Sequence, residues 1–442
     1  RARGARVVHR TGDCRRPRRT ERHVAMSVIE TLPARGERRV AVHATPAGAR
    51  AVRSGDPWLF DGSISRSSEG SVGDLAVVFD PDREFAGIGL LDPTSPIRVR
   101  LLHHGRPTDI DERWWSSRID TALAARESLA ADPGTTAYRL IHGENDGFPG
   151  LVIDRYDNTL VAKIYTGAWL PNLRDVLLPL IERTGASRVV LRTSRALSSA
   201  STEQQLGDGA VLVGDPPDGP IEVLERGLRL GVDVVAGHKT GHFLDQRDNR
   251  ALVRSLADGV EMLDVFSSTG GFSLSAAAGG ARSVHMVDVS GPALETAEAN
   301  LRRNRHLAEV AACRVTSTRG DAFEVLEGMV ADGRAFDLVV LDPPSFARAA
   351  NQVDRAVAAY ERLAALGIAL TRSGGTMVQA SCSARIDVDT LAGAVSRAAG
   401  RSSQRVREIR RTGHPVDHPI GFRHGAYLKA LYVSVVDSGT KN

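Results

Sequence analysis

Cysteine is scarce in this sequence. Only Cys14, Cys313 and Cys382 occur in 442 residues, too few and too scattered for a disulfide framework or a tetrahedral zinc site, so no metal is expected. Such sparse usage points to a reducing compartment, and the expectation is a cytoplasmic protein. Long apolar runs are missing too. Nothing reaches the ~18 consecutive apolar residues that read as a membrane-spanning helix, so no membrane association is expected. Lysine is nearly absent, at four residues against 53 arginines. Arginine suits bidentate phosphate contacts, but a bias this uniform reflects genomic composition more than function.

What is present is ordinary for a globular protein: 42% hydrophobic and 25% charged residues, in a length that suggests roughly three domains. The formal net charge of +4 invites a nucleic-acid reading, yet it is unevenly spread. Residues 1–25 carry nine arginines against Asp13 and Glu21, a net of +7, which leaves −3 for residues 26–442. That tail lacks helical or strand periodicity and is expected to be disordered. The first methionine is Met26, so the tail is read as an upstream extension and set aside from the fold.

Residues 38–102 form short alternating runs punctuated by Gly and Pro (Arg39–His43, Leu75–Asp80, Gly87–Leu91, Ile97–Leu102), the pattern of a small β-barrel. Asp56–Gly62 reads as an aromatic-bearing loop within it. Residues 109–131 carry apolar residues at near-helical spacing and predict one amphipathic helix. Strands at 151–154 and 160–165, a helix over 171–184 and a strand at 188–192 complete a small α+β unit, and 195–210 reads as a loop. Pro216-Pro217-Asp218-Gly219-Pro220 is the clearest linker. Beyond a hairpin over 221–235 the grammar becomes alternating strand and helix, which implies a doubly wound, mostly parallel sheet. Its strands are expected at 260–266, 284–288, 312–317, 336–341 and 375–381, with closing strands near 405–411 and 427–436. The expected organisation is therefore a tail (1–25), a barrel (36–104), a central α+β domain (105–215) and an α/β domain (220–438) whose Rossmann-like core follows a hairpin (220–236).

Strand 260–266 feeds Ser267-Ser268-Thr269-Gly270-Gly271 and a helix. A Gly-rich turn into a helix presents backbone N–H groups at the crossover where such sheets bind ligands. A pyrophosphate cofactor would want Gly-x-Gly-x-x-Gly; here Asp264 sits at the strand end, repelling phosphate and suited to a cationic amino-acid moiety. S-adenosylmethionine has that moiety and no phosphate. Asp288 ends the next strand, where a carboxylate holds a ribose diol, and Asp321 follows the third, within reach of an adenine amino group. Any single Asp is equally a helix cap or turn residue; three at successive strand ends favour a cofactor site formed with Phe266, Ser268, Gly270, Gly271 and Ala322.

The fourth strand runs into Asp342-Pro343-Pro344-Ser345-Phe346. The prolines stiffen the loop and remove backbone donors, leaving carbonyls and the Asp342 carboxylate for a planar, amino-bearing substrate bounded by Pro343, Pro344, Ser345 and Phe346. The fifth ends in Ser381-Cys382-Ser383, and neighbouring strands would set Cys382 and Asp342 on one rim. Carbon 5 of a pyrimidine is a poor nucleophile; thiolate addition at carbon 6 makes it enamine-like, so covalent catalysis needs a cysteine. Cys313 precedes the third strand and reads as structural.

With these residues in hand, the chain resembles the large-subunit ribosomal RNA (cytosine-5) methyltransferase I family over nearly all of 38–435. The resemblance is carried by Asp56–Phe60, Tyr138–Gly150, Gly237–Asp248, Asp264–Gly271, Asp342–Phe346, Ser381–Ser383 and Asp417–Pro419. It implies an N-terminal PUA RNA-binding barrel, a central α+β domain and a methyltransferase domain that uses S-adenosylmethionine. It further implies Cys382 as nucleophile, Asp342 as the residue orienting the base, and Gln246 and Arg247 lining the cofactor pocket. Ribosomal RNA would be the partner, and a homodimer is compatible with the reading. Two departures stand out: Ser345 where relatives commonly have Lys, and Ala384 where they often have Gly. The Asp342 loop also lacks the cysteine that other cytosine-5 RNA methyltransferases use to release product, so the carbon-5 proton needs another base. The rival readings are a guanine-N7 or other ring-nitrogen methyltransferase on the same scaffold, which needs no thiolate, a Rossmann oxidoreductase, and a non-catalytic RNA-binding assembly factor.

Overall fold

A computed structural model describes residues 28–437 apart from 35, 37, 195, 196, 198–205, 238, 348, 403 and 423; the expected tail over 1–25 and much of the 195–210 loop lie outside the described residues. Three sheets and a hairpin organise the chain. The first sheet holds β1 (Arg39–Ala44), β2 (Trp58–Phe60), β3 (Ile64–Ser67), β4 (Leu75–Phe79), β5 (Phe85–Leu91) and β6 (Ile97–His104), in the order β2-β6-β5-β4-β1-β3. Alternate residues Val40, Val42 and Ala44 of β1 point inward with Val78 and Val99, the period-2 burial of a sheet with one buried face. Two corrections arise here. Trp58–Phe60 is a strand and not a loop, and Pro46–Arg53 is a helix, started by Thr45, whose hydroxyl accepts from Gly48 N, with Pro at the first position.

The second sheet runs β11-β10-β9-β8-β7, from β7 (Ala137–His142), β8 (Leu151–Tyr156), β9 (Thr159–Ile164), β10 (Arg188–Thr193) and β11 (Val211–Val213). The expected single helix over 109–131 is two, Glu112–Ala124 and Glu127–Ala130. The break falls at Arg126, which is fully buried: its guanidinium pairs with Asp146 at 2.6 Å and donates to the carbonyls of Ala122, Arg139 and Asp417. Turning one long side chain inward to meet these acceptors outweighs helix continuity, because a buried cation must be paired.

After the hairpin β12 (Ile221–Glu225) and β13 (Leu228–Val232) comes a seven-stranded sheet: β14 (Glu261–Val265), β15 (Ser283–Asp288), β16 (Arg314–Arg319), β17 (Phe336–Leu341), β18 (Thr371–Ser381), β19 (Gln404–Thr412) and β20 (Lys429–Asp437). The order is β16-β15-β14-β17-β18-β20-β19, the first five parallel and the last two antiparallel additions. The α/β expectation holds. Met262, Leu338 and Val340 pack into one layer and Leu263, Val339 and Leu341 into the other. Burial on both faces is why these strands read as continuous apolar runs. The strand order reverses between β14 and β17, and ligands of open α/β sheets bind beyond the carboxyl ends at such a point.

Candidate active site

β14 delivers Asp264 one residue before its end, completely buried. Its Oδ2 accepts from Ser273 N at 3.1 Å and Ser273 Oγ at 2.6 Å, in the first turn of the helix Gly271–Ala278. Oδ1 is buried without a partner among the described residues, as is Ser267 Oγ. Burial, with the nearby charges of Asp342 and Asp288, pushes the Asp264 carboxyl up to about 7. The turn between strand and helix is tightly wound: Phe266 has φ 62° and Ser268 φ 49°, conformations that L-residues adopt only where surrounding structure enforces them. At Gly270 (φ 75°) a Cβ would meet the Ala297 Cβ at 2.6 Å, so only glycine lets the helix Gly291–Arg303 pack this closely. Asp288, at the end of β15, accepts from Ser268 N and Ser290 N, each at 2.8 Å, and clamps the turn.

At β17 the chain leaves the sheet as Asp342. Gln246 donates Nε2–H to Asp342 Oδ1 at 2.9 Å, and its own Oε1 accepts from Asn249 at 2.6 Å. Burial and the charge of Asp245 raise the Asp342 carboxyl to about 7, against the pull of Lys239 and of the Gln246 hydrogen bond. The register pairs Leu341 with Gln379, which sets Asp342 level with Ala380 and brings Cys382 to the same rim. Cys382 is half-buried. Burial first, then the charges of Asp342 and Asp245, push its thiol up, while Lys239 pulls it down.

The loop around Cys382 is pinned from three sides. Tyr360, on the helix Val353–Ala369, shares a 2.9 Å hydrogen bond with Ser381 Oγ; Ser383 Oγ donates to Ala347 O of the Asp342 loop at 3.0 Å; Lys429, opposite Ser381 on β20, donates Nζ–H to the carbonyls of Ser383 and Ile386. Burial lowers the Lys429 ammonium to about 8, while Cys382 alongside favours its charge. Phe346 packs against Tyr360 with ring centroids 4.9 Å apart. Pro343 is buried, Pro344 is exposed and Ser345 turns its hydroxyl to Ala347 O at 3.3 Å.

Asp264, Asp288, Gly270 and Gly271 thus gather at the switch point, with Gln246, Asp342 and Cys382 on the adjoining rim. Arg247 is buried in a bidentate pair with Asp417 at 2.7 and 3.0 Å, because a desolvated guanidinium takes the carboxylate that matches its fork. Asp321 caps the helix Ala322–Ala331, accepting from Phe323 N at 2.9 Å and Glu324 N at 3.3 Å, the cap role weighed for each acid, and Ala322 is the first residue of that helix. Sequence reasoning did not single out Lys239, Asp245, Tyr427 or Lys429. The Gly237–Asp248 string held the signal for the first two, but only Gln246 and Arg247 were drawn from it. Cys313 is buried, its thiol pushed up to about 11. Among the described residues no group of three or more His, Cys, Asp or Glu is placed to hold a metal, and no helix is long and apolar enough to cross a membrane.

A family model of S-adenosylmethionine-dependent methyltransferases matches residues 139–433, two thirds of the chain. The chain belongs to that family. A PUA-like domain model matches 42–104. The chain is 41% identical over 410 residues to the ribosomal RNA large subunit methyltransferase of Deinococcus radiodurans, covering 92% of this chain and 100% of that one. It is 35% identical over 401 residues to the ribosomal RNA large subunit methyltransferase I of Shewanella frigidimarina, covering 90% and 99%. These identities place it among the large-subunit methyltransferase I relatives. An S-adenosylmethionine-dependent methyltransferase of Streptococcus mutans shares the fold, with a TM-score of 0.73 at 19% identity over 89% of this chain and 99% of that one. A methyltransferase complexed with S-adenosylhomocysteine is equally similar in fold, with a TM-score of 0.74 at 19% identity and the same coverage. S-adenosylmethionine is the family's cofactor, and the residues fit it: an Asp264 carboxylate oxygen, buried without a partner among the described residues, suits a cationic amino group, and Ser267–Gly271 does not carry the Gly-x-Gly-x-x-Gly spacing of a pyrophosphate turn.

Proposed function

We propose that this methyltransferase modifies carbon 5 of a cytosine in large-subunit ribosomal RNA, with Cys382 as nucleophile. Support comes from one relationship above others: Cys382 and Asp342 end adjacent strands on the rim beside the cofactor turn. A thiolate at that place is needed for a carbon target, while a ring-nitrogen target leaves it without work. When bound, S-adenosylmethionine supplies an electrophilic methyl group; Asp264, Asp288 and the Phe266–Gly271 turn are the residues that would hold it, with Asp321 and Ala322 at the adenine end.

The chain's own residues supply the rest. Asp342 faces the base from the stiff Pro343-Pro344 loop with Ser345 and Phe346 beside it. Its raised carboxyl carries a proton at neutral pH in a large share of molecules, so it can donate to a ring nitrogen as the Cys382 sulfur bonds to carbon 6. The target base reaches the rim by leaving its stack or from an unpaired loop. RNA is held by the barrel over 36–104 through local basic patches, because residues 26–442 carry no net positive charge. Action on ribosomal RNA sets the cytoplasm as the place of work.

Incubation with ribosomal RNA containing 5-fluorocytosine tests this reading. A covalent protein–RNA adduct that requires Cys382 and S-adenosylmethionine is expected. Methyl transfer without any adduct favours a ring-nitrogen target instead.

A further inference from the structure

The strand β19, Gln404–Thr412, lies at the outer edge of the seven-stranded sheet beside β20 and carries four arginines, Arg405, Arg407, Arg410 and Arg411. Simple alternation would put Arg405, Arg407 and Arg411 on one face and Arg410 on the other. A β-bulge between Glu408 and Arg410 changes that. With Ile409 as the extra residue, Arg405, Arg407 and Arg410 stand opposite Val436, Ser434 and Tyr432 of β20, and Arg411 stands opposite Leu431. Those three β20 residues alternate, so the three arginines share one face, and Arg411 takes the other with Glu408.

The two faces differ in what they offer a guanidinium. Arg411 is paired with Glu408 at 2.8 Å and with Asp389 of the helix Val388–Gly400 at 2.6 Å. That helix covers the Arg411 face, where Val406 joins its Val395 and Ala398 in one cluster. Arg405, Arg407 and Arg410 are exposed, and their side chains make no ion pair or hydrogen bond among the described residues. Their face is open: Ser434 and Val436 are half-buried where Val433 and Val435 are buried, and Val436, Ser434 and Tyr432 bring no carboxylate to it. Arginine is frequent throughout the chain, but frequency alone does not align three unpaired guanidinium groups on one open face.

The row also leads to the site. β19 is antiparallel to β20 and β20 to β18, so Thr412, the last residue of β19, lies level with Ala380 on the Cys382 rim, about 10 Å away across two strand spacings. Thr412 Oγ1 donates to Asn249 Oδ1 at 2.6 Å, Asn249 donates to Gln246, and Gln246 to Asp342. From Thr412, on the same face, Arg410, Arg407 and Arg405 step away from the rim at intervals of about 7 Å.

Resting on the ribosomal RNA substrate of the proposed function, we propose that Arg405, Arg407 and Arg410 form a phosphate-binding track that holds the RNA backbone beside the target base. A guanidinium fork meets phosphate oxygens at two points and stays charged at neutral pH. Three of them along an open strand fit a polyanion lying over the sheet face, and they position it without reading its bases. The track gives the methyltransferase domain a grip on RNA apart from the barrel, in a chain whose residues 26–442 sum to −3.

The test is a triple variant of the full chain, Arg405→Gln with Arg407→Gln and Arg410→Gln, titrated with unmethylated large-subunit ribosomal RNA over a range of salt concentrations. Each lost phosphate contact removes about 0.7–0.9 from the slope of log affinity against log salt, so the triple variant should lose about 2–3 in slope and bind on the order of 10²-fold more weakly near 0.1 M salt. The KM for RNA should rise with that loss, with little change in kcat at saturating RNA. Arg411→Gln, which removes the same charge from the opposite face, should keep the wild-type slope. A wild-type slope in the triple variant overturns the proposal, and self-association of that variant in sedimentation would then show that the row guards the sheet edge instead. A slope lowered by Arg411→Gln as much as by a single change in the row overturns it too, because overall charge would account for both. Failure of the wild type itself to bind ribosomal RNA strikes the substrate reading on which the track rests.

Discussion

Gln246 donates a 2.9 Å hydrogen bond to Asp342 across 96 residues of sequence, joining the turn after the β12–β13 hairpin to the loop that meets the substrate. With its other amide atom taken by Asn249, Gln246 has a single orientation and so fixes that of the carboxyl. Replacing it by Leu should lower kcat by about 10–100-fold, equivalent to one lost hydrogen bond to a charged group. Affinity for S-adenosylmethionine should stay near that of wild type. Steady-state kinetics separates the two, and a loss confined to cofactor binding would count against the positioning role.

Asp264 carries a built-in conflict between stability and binding. Folding favours its protonated form, so its penalty grows as pH rises from about 4 to about 7 and is constant above. Asp264→Asn should therefore stabilise the cofactor-free protein above pH 7, by up to about 4 kcal/mol if the whole shift were recovered, and have no such effect near pH 4. The same change should abolish tight S-adenosylmethionine binding. Because a cationic ligand draws the carboxyl into its ionised form, wild-type binding should release protons between pH 6 and 7. Calorimetry in buffers of different ionisation enthalpy measures that release.

Cys382 is a thiol restrained by its neighbours. Burial and Asp342 raise it and Lys239 lowers it, so Asp342→Asn should speed its alkylation by iodoacetamide at pH 7.5 and Lys239→Met should slow it. Peptide-resolved mass spectrometry distinguishes Cys382 from Cys313 and Cys14. Equal rates in all three proteins would show that these charges do not reach the sulfur.

The Arg247–Asp417 pair is structural by its burial. Arg247→Met leaves the Asp417 charge inside the protein with the Arg139 backbone N–H and His418 for company, and should destabilise by about 3–5 kcal/mol. Lysine cannot reproduce the two-point contact and should rescue little. The folded fraction should still bind S-adenosylmethionine; selective loss of binding without loss of stability would instead assign Arg247 to the cofactor pocket.

The parallel sheet was legible because burial on both faces writes β14, β15, β17 and the second half of β18 as apolar runs, while the edge strand β16 is polar and mostly exposed. The acids and the cysteine that end those strands follow from the same pattern. What escaped was set by partners distant in sequence. β7 carries Arg139 and His142 in a strand with no clean alternation; they fit because Asp154 accepts from two Arg139 nitrogens, at 2.7 and 2.9 Å, and because His142 meets His418 edge-on. Arg126 and Arg247 look like surface residues until Asp146 and Asp417 are brought to them. The helix Pro46–Arg53 had a readable start in Thr45 and Pro46, but its Gly48 and two arginines masked it among turn signals. Asp245 looked like one acid in a polar string, and its partner Tyr427 lies 182 residues away.

The account turns on where the methyl group goes. Large-subunit ribosomal RNA lacking this modification, incubated with S-adenosylmethionine and either wild type or Cys382→Ala and then digested for nucleoside mass spectrometry, answers it directly. The expected result is 5-methylcytidine at one position with wild type and none with Cys382→Ala. Undiminished methylation by Cys382→Ala, or a methyl group on a ring nitrogen, would contradict it.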